Sequence, residues 1–420
     1  METNGKSTQT RSPFFTTLNN IHLILNVNEV VTLKVHGRVS LFVGWITLFL
    51  IGIDLFVVSP LMPFISEAYV TSPAMTGWMI TVFAITYAIF APFFGWLSDK
   101  HGRGAYITLG LVLFVVSNIL TAFAPTFFWL IVSRILVGLS VASIAPLLYA
   151  IIGDVAPTNR TGTWLSILAS GHLTALWAGA PIGILLEHFL GWRSVFVALA
   201  LMGAILAVVN HKTWKNNSKS LSTRNLLGGN LLRIFGSVSV TTSWAISMYA
   251  LYVYLGAALY SENSFSSLEI AAAITFYGVG AVIGSLTGGQ LTDRFGEKKI
   301  SKLMLISLAL ILVCLGIFFT SSIWIYFYLF LWALIGYAGF TSYTARLAGE
   351  YPNERGTVMA WNMTALYVGI TLGSMLGGYV ISNWGYTLLP YVCSIAAILS
   401  FALSCQQVKE TNTKTAKEGN

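Results

Sequence analysis

Residues 95 to 103 read Gly95-Trp96-Leu97-Ser98-Asp99-Lys100-His101-Gly102-Arg103, and 194 residues further on the chain reads Gly289-Gln290-Leu291-Thr292-Asp293-Arg294-Phe295-Gly296. Glycine, leucine, aspartate and glycine recur at the same places in both stretches, each time in a short polar break between long apolar runs. The same shift carries Gly162, Thr163, Gly179, Gly183 and Gly191 onto Gly356, Thr357, Gly373, Gly377 and Gly385. One offset held from residue 95 to residue 191 makes the chain an internal repeat. Each copy is bounded by apolar stretches long enough to cross a bilayer.

Composition says which solvent those stretches meet. Of 420 residues, 56% are apolar and 9% charged, against about 25% charged in a soluble domain, so too few charges exist to cover a water-facing surface. A spanning helix needs about 20 apolar residues, and runs of that kind recur from Val39 to Cys405. The first run continues into Asp54, Pro60 and Pro63 instead of a cleavage site of small residues, and is expected to be a retained helix. The net charge of +8 is spread through short loops and does not form a stripe with stacking aromatics, which argues against a nucleic-acid partner. Cys314, Cys393 and Cys405 lie in or at the end of apolar runs with no CxxC spacing and no adjoining histidine, so neither disulfides nor a metal site is expected.

The apolar runs predict helices near 39–65, 74–97, 105–123, 127–151, 162–186 and 192–210, then 235–260, 268–290, 300–320, 323–346, 357–381 and 386–405. The expected order is an N-terminal segment (1–38), a six-helix half (39–210), a linker (211–234), a second six-helix half (235–405) and a tail (406–420). With both termini and the linker cytoplasmic, 21 of the 23 Lys and Arg residues fall on the inner side; Arg134 lies within a helix and Arg193 alone is outside. That is the partition the positive-inside rule demands, and an odd number of spans in either half would destroy it. Repeated six-helix halves related by an axis along the membrane normal are a transporter architecture, with the substrate site between them near the midplane.

The stretch Gly95 to Arg103 closely resembles the signature G-x-L-[SA]-D-[RK]-x-G-R of the major facilitator superfamily, and Gly289 to Gly296 sits where that family carries a weaker second copy. The resemblance implies an all-α membrane protein with twelve transmembrane helices in two pseudo-symmetric halves, and a gating loop of Gly95, Asp99, Lys100, Gly102, Arg103, Asp293 and Arg294 that latches the outward-open state. Leu130 to Gly138 is similar to the family's R-x-x-x-G pattern of proton-coupled exporters, with Val137 in place of the usual polar residue before the glycine. Gly179-Ala180-Pro181-Ile182-Gly183 and Gly191-Trp192-Arg193 look like the G-x-P-x-G and G-W-R variant of arabinose-type and related drug efflux permeases; the Gly-Gly pair of the antiporter signature is absent. Gly138, Gly179, Pro181 and Gly183 are expected to serve helix packing. The chain is thus similar to the drug or metabolite:proton antiporters, which points to efflux of a small amphipathic compound from a bacterial cytoplasmic membrane by a monomer. Proton-coupled import of a sugar or organic acid on the same fold is the alternative.

Asp54 is the single acidic residue expected inside a helix. At a rise of 1.5 Å per residue, it lies roughly 12 Å below the outer end of helix one and Arg134 roughly 10 Å below that of helix four, so the two share a depth. Charges at that depth cost at least about 2.5 kcal/mol and mark function by default. Two roles fit the pair: proton coupling, or a static tie between helices. His172 could titrate, contact substrate or stand by in a wet cavity. Tyr87, Trp177, Trp244, Tyr249, Tyr252, Tyr277, Tyr337 and Tyr367, with Asn362, could line an amphipathic cavity or pack between helices. No nucleotide-binding G-x-x-x-x-G-K-[ST] occurs, no nucleophile-base pair sits at one depth, and neither an enzyme nor a cofactor is expected.

Overall fold

The computed structural model describes residues 37–157, 161–214, 231–321, 323–351 and 355–418. The side chains of Trp96, Asp99, Lys100 and His101, and of residues 161–163, 166, 231–232, 355–357 and 407–418, lie outside that description. So do residues 1–36 of the expected N-terminal segment and most of the linker.

Among the described residues, twelve helices are long and apolar enough to span a bilayer. The first half consists of α1 (Gly37–Phe56), α2 (Val58–Ala68), α3 (Pro73–Thr76), α4 (Trp78–His101), α5 (Arg103–Ala122), α6 (Phe127–Val155), α7 (Thr161–Leu190) and α8 (Arg193–Trp214). The second consists of α9 (Leu231–Tyr252), α10 (Leu255–Asn263), α11 (Ser267–Phe295), α12 (Glu297–Ile317), α13 (Trp324–Glu350), α14 (Arg355–Trp384) and α15 (Leu389–Glu418), a single 3-10 turn at Tyr386–Leu388 preceding the last. No strand occurs among the described residues, as expected where every backbone group must be satisfied within its own segment.

The repeat is written into the backbone as well as the sequence. Six described residues have positive φ, and they form three pairs each 194 residues apart: Gly102 with Gly296 (94° and 86°), Gly191 with Gly385 (78° and 82°), and Val70 with Ser264 (51° and 54°). Gly102 and Gly296 also share ψ, 130° and 140°, and each closes a helix by an N–H bond of 2.9 Å to Ser98 or Thr292. A side chain in this backbone region is strained, which explains why both copies of the motif keep glycine there.

Two helices expected to be continuous are broken. The first span stops at Val57 and resumes as α2; the seventh stops at Val253–Tyr254 and resumes as α10. Pro60 has no N–H to return to Phe56, which weakens the ladder at the first break. At the second, the Ser59 hydroxyl enters the ladder from the opposite half: it donates to the Tyr252 carbonyl (2.7 Å) and accepts the Gly256 N–H (3.5 Å), bridging the carbonyl and amide that an intact helix would join. Gly256 lies so close to the Ser59 backbone that any Cβ there would collide with it.

The halves meet where α2 packs on α10, α4 on α14 and α7 on α11. At the face opposite the linker, Ser374 ties them through Thr81 (2.8 Å) and the Gly77 carbonyl (3.1 Å), while Tyr254 donates to the Ser374 carbonyl (2.8 Å). The outer helices α5, α8, α12 and α15 present large apolar residues outward, among them Leu109, Val116, Leu201, Ile205, Leu310 and Ile395. In water such a surface would drive aggregation; here it is the lipid contact. Also at the face opposite the linker, Tyr69 donates to the Ala124 carbonyl and lies under the Arg193 guanidinium, which stacks on Trp192 at 4.4 Å. Burial pushes the Tyr69 phenol up, opposed by the nearby Arg193 charge.

Candidate functional site

Asp54 sits near the end of α1, three residues before the break, and Arg134 lies two turns into α6. Both are completely buried, and they meet as a fork: Arg134 Nη2 donates to Asp54 Oδ2 at 2.8 Å and Nη1 to Oδ1 at 3.1 Å, with a further contact from Nη2 to the Asp54 carbonyl at 3.4 Å. Bidentate geometry of this kind is the strongest that a carboxylate and an arginine form. Phe83 and Phe196 flank the guanidinium at 5.6 and 6.0 Å, so its faces see π-systems rather than water. Arg134 Nε is left without a partner. One turn on, Gly138 lets α6 lie against α4: an added Cβ would stand 2.6 Å from the Phe83 carbonyl. Arg134 and Gly138 therefore act together, the glycine bringing in the aromatic wall that covers the arginine.

His172 does not join the pair. It packs on α1 beside Gly52 and meets Phe56 edge-on at 5.0 Å. Asp54, two residues from both Gly52 and Phe56, points about 200° around the helix from either. Both polar groups thus border α1 on opposite faces.

The aromatic residues divide into two groups. Tyr87 of α4 stacks on Tyr367 of α14 at 3.6 Å, joining the halves, and Phe83 reaches the same Tyr367 at 6.3 Å. Tyr252 contacts Phe56 across the interface (5.9 Å), Tyr249 (6.0 Å) and Tyr277 (5.0 Å). Tyr277 also meets Tyr337 edge-on at 6.4 Å. Ring contacts thus cross between the halves at two places, from Phe83 and Tyr87 to Tyr367 and from Phe56 to Tyr252. Trp177 contributes backbone to the same seam: Gly278 lies directly on it and Thr275 bonds its carbonyl at 3.5 Å. Trp244 and Asn362 are placed inside the C-terminal half, Trp244 donating to the Gly336 carbonyl and stacking on Phe340, and Asn362 accepting from Thr241 at 2.6 Å. Gly183 lies hard against Val57 at the first break, whereas a Cβ on Gly179 would make only ordinary contact with Ile53; Pro181, between them, is half-buried.

In the loop of the first motif, Arg103 is buried and pairs with Asp154 at the end of α6; a Cβ on Gly95 would meet nothing. The side chains of Asp99 and Lys100 lie outside the described residues. Asp293 and Arg294 of the second copy are exposed, Arg294 lying over Phe295. Three features escaped the sequence reading. Ser59, a small hydroxyl in an apolar run, gave no sign of reaching the other half. Trp332 was one tryptophan among 13. Arg346, counted with the loops, is completely buried, bound to Glu350 at 2.8 Å and to the Ser404 hydroxyl at 2.8 Å; its i, i+4 spacing to Glu350 was the available signal.

Comparison with known proteins agrees with this architecture. The family model of the Major Facilitator Superfamily matches residues 44–228 and 233–419, its two segments meeting in the linker. A Bacillus subtilis protein named an uncharacterized MFS-type transporter, YwfA, is 28% identical over 85% of this chain and 89% of its own length. Multidrug resistance protein 1 of Bacillus subtilis is 27% identical over 87% and 96%, and the inner membrane transport protein YdhP of Escherichia coli 26% identical over 82% and 89%. The crystal structure of a D-xylose-proton symporter superposes with a TM-score of 0.74, covering 87% of this chain and 97% of that one at 15% identity, a likeness of fold. With both halves matched by one family and twelve apolar spans in place, the chain belongs to the Major Facilitator Superfamily and is a multi-pass transporter of the bacterial inner membrane.

Proposed function

We propose that this transporter exports a small amphipathic compound in exchange for protons, acting as a monomer, with Asp54 and Arg134 as the coupling pair. The observation that carries the reading is the completely buried, bidentate Asp54–Arg134 fork, placed in only one half and bordered by the aromatic seam between the halves. Apolar surroundings favour the neutral form of a carboxylate and an adjacent guanidinium favours the ionised form. Such a pair exchanges a proton whenever its geometry opens and closes. With the linker face cytoplasmic, as the distribution of basic residues supports, the Ser374, Tyr254 and Ser59 contacts seal the periplasmic end while the pair is formed. In the proposed cycle a periplasmic proton neutralises Asp54 and loosens the fork. The halves then rock, and loss of the proton to the cytoplasm restores the pair as substrate loads.

A potential of 100 mV contributes about 2.3 kcal/mol per charge moved, enough for a gradient of about 50-fold, so nucleotide hydrolysis is not required. The name of Multidrug resistance protein 1 supports export; the fold of a D-xylose-proton symporter keeps import as the second reading.

Reconstitution in vesicles tests both. An imposed pH gradient should drive substrate against the direction of proton flow in the wild type, and Asp54→Asn should abolish that dependence while the protein still inserts. Substrate moving with the protons would favour the importer. An Asp54→Asn protein that still couples would reduce the fork to a structural tie and make His172 the next group to remove.

A further inference from the structure

We propose that the substrate is an uncharged, flat compound bearing oxygen hydrogen-bond acceptors, held in the C-terminal half by Tyr252 and Trp332, both packed on Tyr277. The inference rests on the reading of the seam between the halves as the transport site, and adds the class of ligand. Buried polar groups are almost always paired. Two groups at this one place are not: Tyr252 Oη and Trp332 Nε1, both on completely or almost completely buried residues, have no hydrogen-bond partner. Both rings pack on Tyr277, at centroid distances of 5.0 and 4.8 Å.

The rings of Tyr277, Tyr337 and Tyr249 form a frame around the two unsatisfied groups, Tyr249 meeting Tyr252 at 6.0 Å and Tyr277 meeting Tyr337 at 6.4 Å. An indole N–H can only donate, and a tyrosine hydroxyl can donate. What completes this site is therefore an acceptor. Leaving a buried donor unpaired is costly, and a site retains that cost where a ligand relieves it.

The charge of the ligand follows from the same residues. The ring contacts of Tyr252 and Tyr277 are to Phe56, Tyr249, Trp332, Tyr337 and one another, with no cationic side chain among them to hold an anion. Aromatic faces can hold a cation, but an N–H donor directed at it opposes that binding. The buried carboxylate of the opposite half, Asp54, is already occupied by both terminal nitrogens of Arg134. A neutral ligand with acceptor oxygens satisfies both orphan donors and stacks on the tyrosine frame when the seam parts to admit it.

The test is equilibrium binding to the full chain in nanodiscs at neutral pH without a gradient. Four probes of similar size are compared: a methoxycoumarin, ethylnaphthalene, naphthoate and tetraphenylphosphonium. The methoxycoumarin should bind saturably, about tenfold more weakly to Tyr252→Phe and to Trp332→Phe, and better than the three others. Tyr252→Phe removes one oxygen and keeps the ring, so its effect reads the hydroxyl and not the fold. Absence of saturable methoxycoumarin binding to a monodisperse wild-type protein overturns the proposal. So does tighter binding of the cation, the anion or the hydrocarbon, or unchanged affinity in Tyr252→Phe. Because no proton gradient is present, such a failure removes the ligand class while proton coupling stands or falls separately with Asp54→Asn in vesicles.

Discussion

The two halves share a backbone and differ in the chemistry hung upon it. Three pairs of positive-φ residues and both copies of the glycine turn recur at a spacing of 194, yet the same shift carries Asp54 onto Met248 and Arg134 onto Tyr328. Arg103, which pairs with Asp154, is carried onto Glu297. Near mid-depth, one half holds a buried ion pair and the other a frame of packed tyrosines. Positions fixed by turn geometry tolerate only what the turn accepts, so duplication is preserved there. Side chains facing the seam are free to diverge, and a device that needs both a charge switch and a neutral recognition surface gains by placing them in opposite halves.

The largest effect should come from making the N-terminal interior resemble the other by halves. Arg134→Ala leaves the Asp54 carboxylate buried without its cation, a loss of about 3–5 kcal/mol in comparable buried pairs, and should lower the thermal midpoint in detergent steeply. Asp54→Met with Arg134→Met removes both charges, giving this half an uncharged interior at the depth where its counterpart has Met248, and should recover most of the lost stability. Transport coupling should not return with it. If the double variant unfolds as early as Arg134→Ala, the fork contributes stability through its own attraction and the comparison between a functional charge pair and a dispensable one fails.

How much of this was readable depended on whether a feature is local. The twelve spans, the repeat and the shared depth of Asp54 and Arg134 follow from apolar run lengths, a fixed offset and the helix rise, each computed along the chain alone. The breaks at Val57 and Tyr254 do not, because the second is completed by Ser59, 193 residues from the carbonyl it binds. Trp332 and Tyr252 look like ordinary membrane aromatics until both are seen to pack on Tyr277 with their polar atoms unpaired. His172 shows the converse: the sequence offers it as a group that could titrate, and its place on α1 beside Gly52 and Phe56 sets it apart from Asp54.

An intermediate effect tests how the seam itself departs from the repeat. Gly256 is the 194-residue counterpart of Met62, a large buried residue, whereas Gly256 lies against the Ser59 backbone. Gly256→Ala should force the sealed face apart. In a background lacking the three native cysteines, Ser374→Cys, fully buried when the face is sealed, should react with a membrane-impermeant maleimide several times faster once Gly256→Ala is added. Met62→Ala should leave the rate near its starting value. Equal acceleration by both would mean that the seam is symmetric and that the close packing at Gly256 is incidental.

The smallest effect concerns one hydroxyl. Ser59 bridges the carbonyl of Tyr252 and the amide of Gly256, so Ser59→Ala leaves two backbone groups of the other half unpaired, at about 1–3 kcal/mol for a buried group without a partner. The carbonyl bond is the shorter and carries most of that cost, and relaxation of α10 toward a continuous helix would recover part of it by rejoining Gly256 to Tyr252. Helix continuity and face closure are therefore alternatives: the break persists because the opposite half supplies the missing bridge. Ser59→Ala should raise maleimide reactivity of Ser374→Cys modestly, less than Gly256→Ala does, and slow amide hydrogen exchange at Gly256 as the intact ladder forms. Ser59→Thr, which keeps the hydroxyl, should behave as wild type in both measurements. If Ser59→Ala speeds exchange at Gly256 instead, α10 does not heal when the bridge is removed, and the break belongs to the C-terminal half itself and not to the contact between halves.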